Sequence, residues 1–212
     1  EVERILRKLS EQVGSESGSI IASIAAVSEI DLAIAKESIG SIFQTSLPIE
    51  KDGLEWIVDA KSPLCLQSAR HPLLQGDVVP ISLILGVEHR GIVITGPNTG
   101  GKTVALKTVG LLVAMVAAGL PIPAEFGTQI PIYRNIFADI GDEQSIEQSL
   151  STFSAHMSNI IRILGEATPD CLVLLDELGA GTDPSEGTAL GRAILRYLLD
   201  VDTDIIATTH HG

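Results

Sequence analysis

Between residues 91 and 103 the chain runs Gly-Ile-Val-Ile-Thr and then Gly96-Pro97-Asn98-Thr99-Gly100-Gly101-Lys102-Thr103, before entering a long apolar segment. The spacing Gly-x4-Gly-Lys-Thr is that of a phosphate-binding loop, and its position after an aliphatic strand and before a helix gives the pattern meaning. Glycines let such a loop turn tightly, so that backbone N–H groups and the positive end of the following helix converge on phosphate oxygens. Lys102 would reach the β- and γ-phosphates, and the Thr103 hydroxyl would ligate Mg²⁺. The plain alternative is a glycine-rich turn that only joins strand to helix.

A second motif argues against that alternative. Leu172 to Leu175 run directly into Asp176-Glu177, the form of a Walker B strand, in which Asp176 would hold Mg²⁺ and Glu177 would orient and deprotonate the attacking water. A GTPase would show an Asp-x-x-Gly after its second strand and an Asn-Lys-x-Asp base reader, and the expected absence of both favours ATP over GTP. After Asp176-Glu177 comes Gly179-Ala180-Gly181-Thr182-Asp183-Pro184 and not an arginine-rich substrate lid, which favours hydrolysis over transfer to a second substrate.

The elements that must position these residues follow from the apolar pattern. A strand over residues 92–95, a helix from about Lys102 to Ala118, a strand over 171–175, a helix from about Ser185 to Leu199 and a strand over 204–208 alternate along the second half of the chain. Continuous aliphatic strands alternating with helices predict an α/β fold, a mainly parallel sheet with helices on both faces. Residues 47–90, broken by Pro48, Gly53, Pro63, Pro72, Gly76, Pro80 and Gly86, predict short strands and turns. Residues 1–46 carry apolar side chains at helical spacing and predict one short and one long helix, with serines at 15, 17 and 19 as caps near a break at Gly14. The long helix is apolar on more than one side, so it is expected to pack against something outside these residues. Two domains are expected: a helical segment over 1–46 and a nucleotide-binding domain over 47–212.

Composition bounds the partners. With 212 residues and a formal charge of −13, the chain opposes a nucleic-acid backbone, and no Lys/Arg stripe offsets that charge locally. Two cysteines, Cys65 and Cys171, suit free thiols in a reducing compartment, so a cytoplasmic location is expected. The apolar run from Val109 to Ala124 is interrupted by Pro121 and Pro123 and falls short of the roughly 20 residues of a spanning helix. No membrane association is expected, and Glu-Val-Glu-Arg at the start has no signal-peptide character.

The phosphate loop, the Ser151-Thr152-Phe153 segment, Leu-Leu-Asp-Glu-Leu-Gly-Ala-Gly-Thr-Asp-Pro and Ala207-Thr208-Thr209-His210, in this order, resemble the MutS ATPases over roughly residues 66–212. The MutS-II branch is the most similar. Asn-Thr-Gly-Gly-Lys-Thr replaces the Asn-Met-Gly-Gly-Lys-Ser of mismatch-repair MutS, and Thr-Asp-Pro-Ser-Glu-Gly replaces Thr-Ser-Thr-Tyr-Asp-Gly. The Ala69-Arg70-His71-Pro72 element also resembles the start of that family's ATPase domain. The resemblance implies a P-loop NTPase of the ABC and MutS type, preceded in residues 1–46 by lever helices, and a homodimer whose ATP sites are composite. It implies that Ser151 acts in trans on the partner's γ-phosphate, that His210 is a γ-phosphate switch, and that Asn98 positions water or phosphate. Without it, Ser151 would belong to an ordinary capped helix and His210 to a structural hydrogen bond. The resemblance further implies a clamp on branched DNA that suppresses recombination, with an endonuclease domain elsewhere in the full protein, and a link to stalled ribosomes. His71 is expected to order a turn with Pro72, and His89 and His156 to be surface or helix-face residues. Residues 79–81 stand where an apolar wall against adenine would be.

Overall fold

A computed structural model describes residues 1–43, 56–59, 61–97, 100–141 and 149–210, the first five of the last stretch by their backbone alone. Its centre is a four-stranded, wholly parallel sheet in the order β4 (Gly91–Thr95), β8 (Asp204–Thr209), β7 (Cys171–Leu175), β6 (Asn135–Asp139). All five residues of β7 are buried, as expected of a strand covered on both faces. The period-2 alternation of strand side chains sorts them between two cores. Leu172, Leu174 and Ile206 face a core shared with Leu106, Val109 and Val113 of α3 (Lys102–Ala117). Cys171, Val173, Leu175, Ile205 and Ala207 face a second core shared with α4 (Ser149–Glu166) and α5 (Pro184–Asp200). Each fully buried leucine contributes about 1.5–3 kcal/mol before chain entropy is counted. The expected α/β fold with helices on both faces is therefore present.

The sequence reading missed β6, which has only five residues, two of them polar. Two smaller pairs flank the sheet: β1 (Ile57–Val58) runs parallel to β5 (Ile130–Pro131), and β2 (Leu64–Ala69) runs antiparallel to β3 (Ile81–Leu85). β1, β2 and β3 are among the short strands expected between residues 47 and 90, although 44–55 lie outside the described residues, while β5 lies outside that stretch and was not expected. At the end of the sheet remote from the phosphate loop, Asp204 accepts a hydrogen bond from the Tyr133 hydroxyl at 2.8 Å and pairs with Arg90 at 3.0 Å. Burial pushes the Asp204 carboxyl above its ordinary range, against the opposing pull of Tyr133 and Arg90. Burial likewise pushes the Tyr133 phenol up, reinforced by the Asp204 charge.

The N-terminal segment forms two helices, as expected: α1 (Val2–Ser15) and α2 (Ser17–Ile42). The expected serine caps are not formed. The break falls at Glu16, neither helix start has a side-chain cap, and the Ser15 hydroxyl instead donates back to the Gln12 carbonyl. Ile20, Ile21, Ile24, Val27, Ile30, Leu32 and Ile34 are exposed while Gly40 is buried, so most of the apolar surface of α2, which such a helix would bury, is left uncovered among the described residues. By length and composition α2 is also apolar enough to cross a membrane, a feature the reading centred on residues 109–124 overlooked. That run is helical only as far as Ala117.

Candidate phosphate and water-activating site

Parallel strands carry their C-terminal ends to one edge of the sheet, and the crevice outside that edge is where ligands bind in such folds. Here β4 delivers the glycine loop, β7 delivers Asp176 and Glu177, and β8, lying between them, delivers Thr208, Thr209 and His210. Within the loop, Gly96 and Gly101 have φ of +138° and +75°, a backbone that a side chain would strain. A Cβ placed at Gly96, Gly100 or Gly101 would have no atom within 4 Å, so the loop borders open space on the side its glycines face. The Gly100 N–H donates to Pro97 O at 3.1 Å, and the Ala105 N–H donates to Gly101 O at 2.9 Å, which begins α3. Lys102 is 5% exposed and its ammonium donates to the Gly96 carbonyl, folded over the loop it belongs to. Thr103, half-buried, is the next residue of the helix. Asn98 and Thr99 lie outside the described residues.

Asp176 is 9% exposed, and its Oδ1 accepts a hydrogen bond from the Thr208 hydroxyl. Glu177 adopts φ of +50°, a left-handed conformation that costs a non-glycine residue roughly 1–2 kcal/mol. The neighbouring strand holds it there: the Glu177 N–H donates to Thr208 Oγ1 at 2.8 Å, and the Leu178 N–H donates to Thr208 O at 2.8 Å. The Thr209 hydroxyl donates to Leu178 O at 3.2 Å. The result aims the Glu177 side chain at His210, whose Nε2 lies 3.2 Å from Glu177 Oε1. Two residues that sequence reasoning assigned to water activation and γ-phosphate sensing are thus side by side.

Ser149, Ser151 and Thr152 lie on the backbone of α4, which is described from Ser149. His156 lies on a face of α4 and is part-exposed, as expected, and it also has a buried partner. Its Nδ1 lies 2.9 Å from Asp139 Oδ2, while the Asn159 amide donates to Asp139 Oδ1 at 2.9 Å and to Ala138 O at 3.1 Å. Asp139 ends β6, and its carbonyl accepts the Asp176 N–H at 2.9 Å. Helix α4 is therefore pinned beside the Walker B strand. No local pattern marks Asp139, which becomes visible only through the strand pairing. His89 is exposed as expected, and His71 orders its turn by accepting the Leu73 N–H at 3.3 Å. Of the apolar wall at 79–81, Val79 is exposed while Ile81 packs against the core. Cys65 and Cys171 are free thiols.

MutS domain V matches residues 92–212. The whole chain is 52% identical to Endonuclease MutS2 of Pelotomaculum thermopropionicum and 51% identical to that of Symbiobacterium thermophilum, in each case covering 26% of the relative. It is 48% identical to Endonuclease MutS2 of Alkaliphilus metalliredigens, again over 26% of its length. The chain thus spans about a quarter of the length of the curated relatives it matches, and with more than half of its own residues inside a MutS domain V, it belongs to the MutS family and is MutS2-like.

Proposed function

We propose that this chain is the ATPase domain of a MutS2-like protein, with residues 1–46 forming part of the lever helices and 47–212 the P-loop domain of ABC and MutS type. The observation that carries the reading is the meeting of the glycine loop, Asp176-Glu177 and His210 at one edge of one parallel sheet. Among the described atoms, the buried Lys102 ammonium and the open space beside Gly96, Gly100 and Gly101 fit a phosphate chain. A threonine hydroxyl and a carboxylate are hard oxygen donors that fit Mg²⁺. Thr103 and Asp176 would hold Mg²⁺, whose charge offsets that of the phosphates when bound. Lys102 exchanges the Gly96 carbonyl for phosphate oxygens, and residues 96–103 orient the phosphates through their backbone N–H groups. Glu177 accepts a proton from the attacking water, and His210, hydrogen-bonded to Glu177, orients it and answers to the γ-phosphate. Asn98 assists in positioning water or phosphate. Asp176 through Gly179 does carry an Asp-x-x-Gly spacing, so ATP is preferred over GTP on the missing base reader and on family membership alone.

In the whole protein, ATP sites are composite across a homodimer, with Ser151 serving the partner's nucleotide. Turnover opens and closes a clamp on branched DNA and so suppresses recombination, and the same cycle can act on stalled ribosomes. The acidic charge of this chain places those contacts mostly in other regions, and any endonuclease activity belongs there as well. The location is cytoplasmic. Helix α2 is assigned to the lever and not to a membrane, since Glu29 and Asp31 interrupt its apolar middle and charged residues are costly at a bilayer centre.

Phosphate release and nucleotide binding by the full chain, wild type and Glu177→Gln, test this reading. Binding by both with release by the wild type alone supports it. Binding without release by the wild type, even in the complete protein, would instead make the chain a nucleotide-gated dimerisation switch. An absence of binding would remove the nucleotide site altogether.

A further inference from the structure

We infer that Thr208 is a positioning residue that sets both carboxylates of the candidate ATP site, an assignment that rests on the ATPase reading above. Its place follows from the strand order. Strand β8 lies between the strand that leads into the phosphate loop and the strand that leads into Asp176, so its last residues are the ones that can touch the turn following β7. Leu175 pairs with Ala207, and the next residue on each strand is Asp176 and Thr208. The Thr208 side chain is fully buried, at 0% exposure.

One hydroxyl serves two residues there. Its hydrogen goes to Asp176 Oδ1, while its oxygen accepts the Glu177 N–H at 2.8 Å. A hydroxyl can do both because it carries one donor and two acceptor sites. The first bond occupies one oxygen of Asp176 and fixes the plane of its carboxylate, leaving Oδ2 for the metal side. The second bond holds the left-handed backbone at Glu177, with φ of +50°, which directs that side chain toward His210. Valine has nearly the same shape and neither bond. Serine has both bonds and lacks only the methyl group. Packing and positioning therefore make opposite predictions for the two substitutions.

The test compares wild type, Thr208→Val and Thr208→Ser in the full chain. A fluorescent ATP analogue is titrated at increasing Mg²⁺ and again in chelator, and backbone amide exchange at Glu177 is followed without nucleotide. Thr208→Val is expected to raise the Mg²⁺ concentration for half-maximal nucleotide binding roughly tenfold, the scale of a lost hydrogen bond to a charged group. It should leave metal-free binding within about twofold, a difference too small to signal loss of the phosphate loop itself, and speed exchange at Glu177. Thr208→Ser should restore all three readouts to near wild type. If Thr208→Val does not fold, Thr208→Ala takes its place with the same expectation. Equal Mg²⁺ dependence in the valine, or alanine, and serine proteins overturns the proposal, even if stability falls. So does a serine protein as impaired as the valine one. Failure of the wild type to bind the analogue with or without Mg²⁺ overturns the ATP-site reading, and this proposal with it.

Discussion

His210 Nε2 lies 3.2 Å from Glu177 Oε1 across the end of the parallel sheet, although the two residues are 33 positions apart in sequence. The contact exists because β7 and β8 are neighbours in register and because Glu177 turns left-handed at the end of its strand. A hydrogen bond to a charged group contributes about 1.5–3 kcal/mol, which as transition-state stabilisation corresponds to roughly 10- to 100-fold in rate. His210→Ala is accordingly expected to slow phosphate release by that factor while leaving Mg·ATP affinity near wild type. Steady-state release together with equilibrium binding checks both halves.

Lys102 makes a different prediction because its ammonium donates to the Gly96 carbonyl and, on the proposed reading, would exchange that contact for phosphate. Lys102→Ala removes a charge-assisted contact and should weaken Mg·ATP binding by at least tenfold, about 1.4 kcal/mol. Calorimetric titration measures it. Unchanged affinity would count against the loop as a phosphate site.

The clasp between α4 and β6 predicts a stability effect. Asp139 is buried and accepts from both His156 and Asn159. Asp139→Ala leaves His156 without this acceptor and Asn159 with Ala138 O alone, and should cost about 1–3 kcal/mol. Denaturant unfolding of Asp139→Ala, His156→Ala and the double variant gives the coupling, which for residues in direct contact should exceed about 0.5 kcal/mol.

Asp183 caps α5 and supplies the pH prediction. Hydrogen bonds from the Ser185 hydroxyl and then from the Ser185 and Glu186 N–H groups hold its carboxyl below the ordinary range. A depressed folded-state value means that the cap stabilises above the unfolded carboxylate value of about 3.9. That stability is lost as the pH falls through the lower folded value. The melting temperature of Asp183→Ala should therefore lie below wild type at neutral pH, and the gap should narrow as the pH falls below 4. A gap that stayed constant into acid would show that the charge contributes nothing.

The chemistry of this chain was legible where residue type and spacing act locally. A glycine loop between an aliphatic strand and a helix, and two acids after four aliphatic residues, can only be read together in a few ways. Strand–helix alternation then implied a parallel sheet with both faces covered. Ser151 and His210 carried no local signal strong enough to stand alone and drew their roles from the family resemblance. What only the tertiary structure decided was adjacency across strands. Placing β8 between β4 and β7 puts Thr208 under both Asp176 and Glu177, and placing β6 beside β7 gives Asp139 its partners on α4. Those contacts join residues 17 to 32 positions apart, and no periodicity along the chain encodes which strands become neighbours. Sequence spacing specifies what each strand end can do, while the order of strands in the sheet specifies which ends do it together.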